Sequence, residues 1–197
     1  MSGKEIAIDF ETIWDERALP LIPAKGPREK TEPKDKLCFD SNYIKIAVAG
    51  FCFRGNTYSY GLDSRSEHQL LVDIWDMLGE CDTIVTFNGL SFDVPLLIKR
   101  SWYLGVKHTK TLSLKRYDTH GNHVDIKAVL GNWDSYARGK LDLYAHLKLG
   151  KAKTEDTDGS KVQAMWDAGE FQKVHEYCQN DALLTWELFQ SMKGYYL

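Results

Sequence analysis

β-prone runs alternate with segments of helical periodicity along this chain, and that alternation constrains the fold more than any other feature of the sequence. Strands are predicted by alternating apolar and polar residues, or by a short apolar run bounded by turn residues. The segments that fit are EIAIDF, YIKIAVAGFCF, TYSYGL, DTIVTF and the start of NHVDIKAVLG. The second and third are joined by RGN, which predicts a hairpin with Gly55-Asn56 at its turn.

Helical periodicity occupies the stretches between and after these runs. SEHQLLVDIWDMLGE has a serine at its N-cap and Gly79 near its end, and SFDVPLLIKRSWYLG has Ser91 as N-cap and Pro95 early enough to be tolerated. Further helices are predicted at the end of NHVDIKAVLG, in GKLDLYAHLKLG, and, as a short then a long helix, in SKVQAMWDAGEFQKVHEYCQNDALLTWELFQSM. Strands interleaved with helices predict an α/β fold, a mixed sheet covered by helices.

The length of 197 residues allows one ordinary globular domain or two small ones, and we expect a single domain over residues 1–197. Residues 14–43 fit neither periodicity and contain four prolines, Pro20, Pro23, Pro27 and Pro33. We expect a long loop insertion there, which either folds over a substrate or has no such role.

Charge and cysteine usage limit the partners and the compartment. The formal net charge of −3 excludes a global basic field of the kind that binds nucleic acid non-specifically, so such a partner would be held locally. No apolar run approaches the roughly 20 residues that span a bilayer, so no membrane partner is expected. The N-terminus lacks a cationic segment followed by a long apolar one, and Cys38, Cys52, Cys81 and Cys178 show no C-x-x-C spacing. We therefore expect a reducing, cytoplasmic setting.

Two carboxylates stand one residue apart in IAIDFETIW, at the end of the first predicted strand. Side chains alternate across a strand, so Asp9 and Glu11 share a face, where like charges repel. The pair is either the solvated end of a strand or part of a cation site.

Two more carboxylates occupy informative places. Asp93 lies in the first turn of a helix that follows a strand and the Asn88-Gly89 break, near the sheet edge where α/β proteins bind ligands. Complementing the helix dipole is the alternative explanation for Asp93. Asp181 lies on or beside the apolar stripe of the last helix, one turn after Tyr177, and a buried carboxylate is costly unless it is paired or coordinated.

The four carboxylates together predict a metal site. If they converge within about 5 Å, each pair repels by roughly 3 kcal/mol at an effective dielectric near 20. The motifs that carry them contain no lysine or arginine that would compensate this charge. Because hard divalent cations prefer carboxylate oxygens, the sequence predicts two divalent metal ions, Mg²⁺ or Mn²⁺.

Three segments carry a resemblance to a known family. DFET, FNGLSFDVPLL and YCQNDALLTWELF, in this order, resemble the exonuclease motifs of the DnaQ-like DEDD superfamily, and Tyr177 resembles the tyrosine of its DEDDy branch. With GKLDLYAHLKLG and GSKVQAMWDAG, the pattern is similar to predicted exonucleases related to the proofreading domain of family B DNA polymerases, from residue 6 to about residue 191. The resemblance implies a ribonuclease-H-like mixed sheet of about five strands, the second antiparallel, flanked by helices. It also implies release of 5′-mononucleotides from a 3′ end.

The resemblance also implies roles for individual residues. Asp9, Glu11 and Asp181 would hold the metal on the nucleophile side, with Asp9 bridging to a second metal that Asp93 supports directly or through water. Tyr177 would orient the attacking water, because a reference pKa of about 10 makes tyrosine a poor base at neutral pH. The residues expected to contact substrate are Phe10, Thr12, Asn88, Gly89, Leu90, Phe92, Lys140 and Tyr144. Core packing is an equal alternative for Phe92, and an ordinary helix surface is the alternative for Lys140 and Tyr144.

Two histidine patterns are interpreted as non-functional. His175 lies six residues before Asp181, whereas the sister branch has its histidine five before, so His175 is rotated away from Asp181 and is expected at the surface or in packing. His120 and His123 in HGNH are expected in a loop rather than a zinc site, because no third histidine or cysteine is nearby.

The expected function is that of a stand-alone, metal-dependent 3′-5′ exonuclease acting on 3′ ends of single-stranded DNA. Proofreading or repair would then require a separate polymerase or repair partner. An exoribonuclease with the same centre, a non-catalytic nucleic-acid-binding module and a protein-interaction domain are the alternatives.

Overall fold

The structure is a computed structural model, which describes residues 4–22, 40–119, 121–134, 136–151 and 159–197. The strands are β1 (Glu5–Trp14), β2 (Ile44–Phe53), β3 (Asn56–Gly61), β4 (Thr83–Thr86) and β5 (His123–Asp125). The helices are α1 (Glu67–Gly79), α2 (Asp93–Leu104), α3 (Ile126–Leu130), α4 (Leu141–Leu149), α5 (Val162–Asp167) and α6 (Phe171–Met192). This order confirms the predicted α/β fold.

The five strands form one mixed sheet in the order β3-β2-β1-β4-β5. β2 is antiparallel to β1 and β3 is antiparallel to β2, whereas β4 and β5 run parallel to β1. The predicted antiparallel second strand is therefore confirmed. β4 pairs with the first part of β1, Glu5 to Ala7, so the later part of β1 extends past the end of β4.

The two faces of the sheet bury different helices. Ile6, Ile8 and Phe10 pack in one core cluster with apolar side chains of α1 and α2. On the opposite face, Ala7 and Ile13 pack in clusters that contain apolar residues of α6. The alternation of β1 therefore directs Asp9 and Glu11 toward the face that the longest helix covers. In the described parts of the chain, no helix combines the length and the apolar character needed to cross a membrane.

Local capping and turn geometry differ from the sequence predictions at two points. The hairpin turn is Arg54-Gly55, one residue earlier than predicted, because Phe53 pairs with Asn56; both turn residues have positive φ, 53° and 81°, as a two-residue hairpin of this type requires. The N-cap of α2 is Phe92 rather than Ser91, and its side chain makes no capping bond. By contrast, Ser66 caps α1 as predicted, accepting a hydrogen bond from the Gln69 amide.

The predicted insertion is described only at its ends. β1 continues past a bulge between Glu11 and Thr12 as far as Trp14, so the strand is longer than EIAIDF. A short 3₁₀ turn covers Leu19–Leu21, and residues 40–43 lead into β2. Residues 23–39, which contain Cys38, lie outside the described part of the chain.

A buried ion network fixes the end of β1. The Arg100 guanidinium, 1% exposed, lies 2.7 Å from Asp15 and 2.6 Å from Glu67. Arg17 adds a second bond to Asp15 at 2.8 Å. Burial alone raises the pKa of the Asp15 carboxyl, but the hydrogen bonds from Arg17 and Arg100 outweigh it and hold that pKa well below its usual range. The network joins β1 to α1 and α2 beside the site described below.

Asp15→Asn should lower the free energy of unfolding at pH 7 by about 3 kcal/mol, because it leaves a buried guanidinium without one of its partners. The folded pKa of Asp15 lies below the unfolded value of about 3.9, so its stabilisation is full above that value and is lost as the pH falls toward the folded pKa. Urea unfolding at pH 7 and pH 3 should therefore show a smaller difference between wild type and variant at pH 3. A difference that does not change with pH would contradict the account, and Asp76→Asn, at an exposed position of α1, is the control.

Candidate active site

Three of the four predicted metal ligands converge. Asp9 and Glu11 come from β1 and Asp181 comes from α6, and one ligand oxygen of each lies within 4.8 Å of the others. Glu11 is 8% exposed and Asp181 4%, so solvent screens their repulsion weakly. At this separation each pair repels by roughly 3 kcal/mol at an effective dielectric near 20. An all-oxygen set of this charge fits a hard divalent cation.

A glycine allows α6 to approach the sheet at this point. Gly50 of β2 pairs with Asp9, and a Cβ atom built on Gly50 would lie 2.7 Å from the Cys178 carbonyl oxygen and 2.9 Å from its Sγ. The backbone of α6 therefore rests directly on β2 opposite Asp9, between the positions of Tyr177 and Asp181. Sequence reasoning missed Gly50, although a glycine inside a strand pattern indicates a close backbone approach.

Cys178 contacts the acidic cluster as a hydrogen-bond donor. Its Sγ lies 3.2 Å from the Asp9 carbonyl oxygen and 3.7 Å from Asp9 Oδ2. Burial raises the pKa of this thiol well above its ordinary value, and the charges of Asp9, Glu11 and Asp181 raise it further. Cys178 therefore stays protonated and ties α6 to β1 beside the carboxylates.

Asp93 lies next to the cluster but outside the group of three. It is the first residue of α2, is buried, and accepts a hydrogen bond at 3.2 Å from the Phe10 amide, between Asp9 and Glu11 in the chain. The pKa of Asp93 is raised to about 7. Burial is the largest cause and the charge of Asp125 adds to it, whereas hydrogen bonds from the backbone amides of Asp93 and Phe10 partly oppose the shift. The bond to Phe10 gives Asp93 a second role that the sequence did not predict, which is to anchor α2 to β1. Its role as a metal ligand stays a prediction.

Tyr177 and His175 lie on different sides of α6. Tyr177 is 5% exposed, one turn before Asp181, and packs with Ile13 and Val48. His175 instead contacts Ser59 Oγ through Nδ1 at 2.7 Å and Asp63 Oδ1 through Nε2 at 2.9 Å. His175 is half-buried and faces away from Asp181, in line with the expected surface or packing position, and Tyr177 is the aromatic residue that shares the helix face of Asp181.

Asp125 holds the loop at residues 88–90. Its two carboxylate oxygens accept hydrogen bonds from the Asn88 and Leu90 amides, both at 2.9 Å. The same carboxylate caps α3 by accepting from the Lys127 amide at 3.0 Å and the Ala128 amide at 3.3 Å. Sequence reasoning missed Asp125; its position before the helical run IKAVL was the available signal.

The remaining predictions near this loop have mixed outcomes. Gly89 packs on Thr86, because a Cβ on Gly89 would overlap the Thr86 side chain, so this position has no room for a larger residue. The loop prediction is wrong for His123, which begins β5 and is buried between Thr86 Oγ1, at 2.9 Å, and the Ser113 carbonyl, at 3.0 Å. Two neighbouring polar groups satisfy both ring nitrogens, which is why the residue is accommodated in a strand. His120 lies outside the described residues.

A cavity of about 150 Å³ adjoins Glu11. It is lined by three predicted substrate residues, Phe10, Thr12 and Phe92, and by residues that the sequence did not indicate, such as Trp14 and Gln163. Phe10 and Phe92 also pack in the core cluster between the sheet and helices α1 and α2. Each of these two rings therefore belongs both to the core and to the wall of the cavity.

Lys140 and Tyr144 lie at the beginning of α4, one before its first residue and one within it. Lys140 is exposed at the N-cap of this helix, and the Tyr144 ring lies 6.1 Å from that of Phe87, next to the loop at 88–90. Their contact with substrate, like that of the other predicted binding residues, stays a prediction.

Comparison with known proteins gives the family. Residues 43–195 match the model of a family described as predicted 3′-5′ exonucleases related to the exonuclease domain of PolB. The chain belongs to this family. The matched residues include Asp93, Tyr177 and Asp181, whereas Asp9 and Glu11 precede them.

The relatives of this family member are DNA polymerases. It is 29% identical to a DNA polymerase of Thermococcus aggregans over 126 residues, which cover 54% of this chain and 7% of that protein. It is 30% identical to DNA polymerase 1 of Aeropyrum pernix over 135 residues, which cover 62% of this chain and 14% of that protein. The chain thus corresponds to a small part of each polymerase.

The fold comparison extends over nearly the whole chain. The family B DNA polymerase of Pyrobaculum calidifontis superposes with a TM-score of 0.68 at 18% identity, covering 98% of this chain and 25% of that one. The fold is therefore that of the PolB exonuclease domain, which is ribonuclease-H-like, and the resemblance to predicted exonucleases related to PolB is confirmed. Assignment to the DEDDy branch stays a prediction.

Proposed function

We propose that this protein is a 3′-5′ exonuclease of the DEDDy type that releases 5′-mononucleotides from the 3′ end of single-stranded DNA. The observation that carries the proposal is the convergence of Asp9, Glu11 and Asp181 within 4.8 Å, beside a cavity that Glu11 helps to line. Family membership supports the reaction class, and the DNA polymerases among its relatives support a DNA substrate.

We propose that the carboxylates hold two divalent ions, Mg²⁺ or Mn²⁺. Asp9, Glu11 and Asp181 would hold one ion, and Asp9 with Asp93 would hold the other. Such ions, when bound, lower the pKa of water and stabilise negative charge on the leaving 3′ oxygen. The chain contributes their placement: a central strand fixes two ligands, and the glycine contact at Gly50 fixes the height of the third above the sheet.

The other residues seat the terminal nucleotide and the water. Phe92 and Thr12 would contact the nucleotide in the cavity beside Glu11, above a floor formed by Phe10. The loop at 88–90 would border it, held in place by Asp125. The Tyr177 hydroxyl would orient the attacking water by hydrogen bonding rather than as a base, since the reference pKa of tyrosine is about 10.

Tyr177→Phe should lower kcat by about 100-fold and leave KM almost unchanged, because it removes one positioned hydroxyl and keeps the packed ring. Steady-state rates on a labelled oligonucleotide give kcat and KM. Binding of the same oligonucleotide in chelator gives the affinity without turnover. Tyr196→Phe, which removes an exposed hydroxyl, is the matched control. If Tyr177→Phe weakens binding as much as turnover, Tyr177 has a structural role instead.

Product analysis tests the reaction directly. DNA and RNA of one sequence, labelled on the 3′-terminal nucleotide, are incubated with Mg²⁺ and the released material is separated by chromatography. We expect 5′-deoxymononucleotides from the 3′ end. Faster release from RNA would make the protein an exoribonuclease with the same centre, and binding without release would make it a nucleic-acid-binding module.

We also propose a polymerase or repair protein as a partner, because the family is related to the exonuclease domain of PolB. The described cysteines, Cys52, Cys81 and Cys178, are free and buried, which suits the reducing, cytoplasmic setting that we propose.

A further inference from the structure

A second cavity lies on the other side of the loop that borders the active site. Its volume is about 320 Å³, and we call it the basic groove, defined by Ser91, Arg116, Lys127 and Trp133. Ser91 lines the basic groove and the next residue, Phe92, lines the cavity at Glu11. Consecutive Cα atoms are 3.8 Å apart, so the two cavities are lined by neighbouring residues of one stretch of backbone.

The basic groove combines cations with a half-buried ring, Trp133, and an exposed ring beside it, Tyr117. The Arg116 guanidinium lies over the Tyr117 ring at 5.3 Å, and the Tyr117 and Trp133 rings are 5.4 Å apart. Tyr117 is 67% exposed at the rim. Rings that present their faces beside cations are the surface on which single-stranded nucleic acids stack their bases.

The two cations are bonded to neutral oxygens. Arg116 donates to the Trp133 carbonyl, and Lys127 Nζ donates to the Asn88 amide oxygen at 3.1 Å. Asp125 also lines the groove, but four backbone amides donate to its carboxylate. Asp134 is a further lining carboxylate, and its Oδ1 accepts from the Tyr136 amide. The lining therefore contains two cations and two carboxylates, and Arg116 and Lys127 are the groups that an anionic ligand would contact.

The backbone holds these rings in an uncommon conformation. Tyr117 and Trp133 have positive φ, 67° and 61°, as has Asn132 at 51°. This region is unfavourable for bulky residues such as Tyr117 and Trp133, whereas asparagine tolerates it, and such outliers cluster at ligand sites.

We propose that the basic groove binds the nucleic-acid strand immediately upstream of the nucleotide being removed, with a phosphate on Arg116 and Lys127 and a base on Trp133 and Tyr117. The proposal rests on the proposed exonuclease function and deepens it, because it assigns to this chain a strand-holding site separate from the metal centre. It makes an oligonucleotide a better substrate than an isolated nucleotide ester.

Binding without turnover tests the groove alone. Fluorescence anisotropy of a labelled single-stranded 12-mer is measured in chelator with wild type, Arg116→Ala and Trp133→Ala. We expect each variant to weaken binding about fivefold or more, the range found for one lost stacking platform. Asp134→Asn should tighten binding, since it removes a negative charge from the groove. Lys107→Ala and Trp102→Ala, an exposed cation and a 76% exposed ring elsewhere, are the matched controls.

Turnover separates strand holding from chemistry. With Mn²⁺, Arg116→Ala should lower kcat/KM on the 12-mer about fivefold or more and leave hydrolysis of the p-nitrophenyl ester of thymidine 5′-phosphate unchanged. Equal loss on both substrates, or unchanged binding in the variants, would overturn the proposal. If wild type cleaves neither substrate but binding still depends on Arg116, the exonuclease proposal fails and the groove stands. If Trp133→Ala does not fold, the exposed Arg116 and Asp134 variants decide.

Discussion

Asp181→Ala should release nucleotides at least about 1,000-fold more slowly than wild type, while its melting temperature in chelator is equal or higher. The activity falls because the metal centre loses one of three converging carboxylates, and metal-based charge stabilisation contributes several kcal/mol, each 1.36 kcal/mol being tenfold in rate. Stability is kept because removing a buried carboxylate removes two repulsive pairs of roughly 3 kcal/mol each at an effective dielectric near 20. Rates on a labelled oligonucleotide and thermal melting with and without Mn²⁺ measure both effects.

The melting curves discriminate between a cation site and a structural cluster. Wild type should gain stability from Mn²⁺ and the Asp181→Ala and Asp181→Asn variants should gain much less. Asp76→Ala, which removes an exposed carboxylate from α1, controls for loss of a negative charge in a helix. Collapse of Asp181→Ala in chelator would show that the carboxylates stabilise the fold, and the clustering argument would be wrong.

Gly50→Ala should lower kcat by about 100-fold and destabilise the fold by about 1–3 kcal/mol. The added Cβ would lie 2.7 Å and 2.8 Å from the carbonyl oxygen and carbon of Cys178, which are backbone atoms that cannot rotate away. α6 must therefore move off the sheet, and it carries Tyr177 and Asp181 with it. Overpacking of this kind costs about 1–3 kcal/mol, and a displacement of about 1 Å at a catalytic group costs about 100-fold in rate.

The control for Gly50→Ala is Gly55→Asn in the turn of the same hairpin. A Cβ at Gly55 meets nothing within 4 Å, and asparagine tolerates its positive φ of 81°. Denaturant unfolding and turnover should be close to wild type in this variant. Wild-type activity in Gly50→Ala would contradict the account that close approach of α6 sets the position of Asp181.

The elements and three of the carboxylates were predictable because they depend on periodicity. Alternation placed Asp9 and Glu11 on one face of β1, and the helical stripe placed Asp181 near the buried side of α6. The strand period of 2 and the helix period of 3.6 apply to any segment that packs on a core. Neither prediction therefore required knowledge of which element the segment packs against.

The features that sequence reasoning missed depend on contacts between distant segments. Gly50 matters because α6, more than a hundred residues later, lies on it, and Asp125 matters because the loop at 88–90 donates to it. The turn at Arg54-Gly55 and the cap of α2 at Phe92 are set by register and by tertiary packing rather than by the nearest favoured residue type. Asp93 was predicted as a ligand, but its bond to the Phe10 amide was visible only in the fold.

The central claim is that the carboxylates of β1 and α6 form a metal-dependent exonuclease centre. A gel time course on single-stranded DNA labelled at its 5′ end, with Mg²⁺, Mn²⁺ or chelator, tests it in one experiment with wild type and Asp181→Ala side by side. We predict a ladder that shortens from the 3′ end with either metal, that is absent in chelator and absent in the variant. Equal shortening in chelator, or the same pattern for wild type and Asp181→Ala, would contradict the claim.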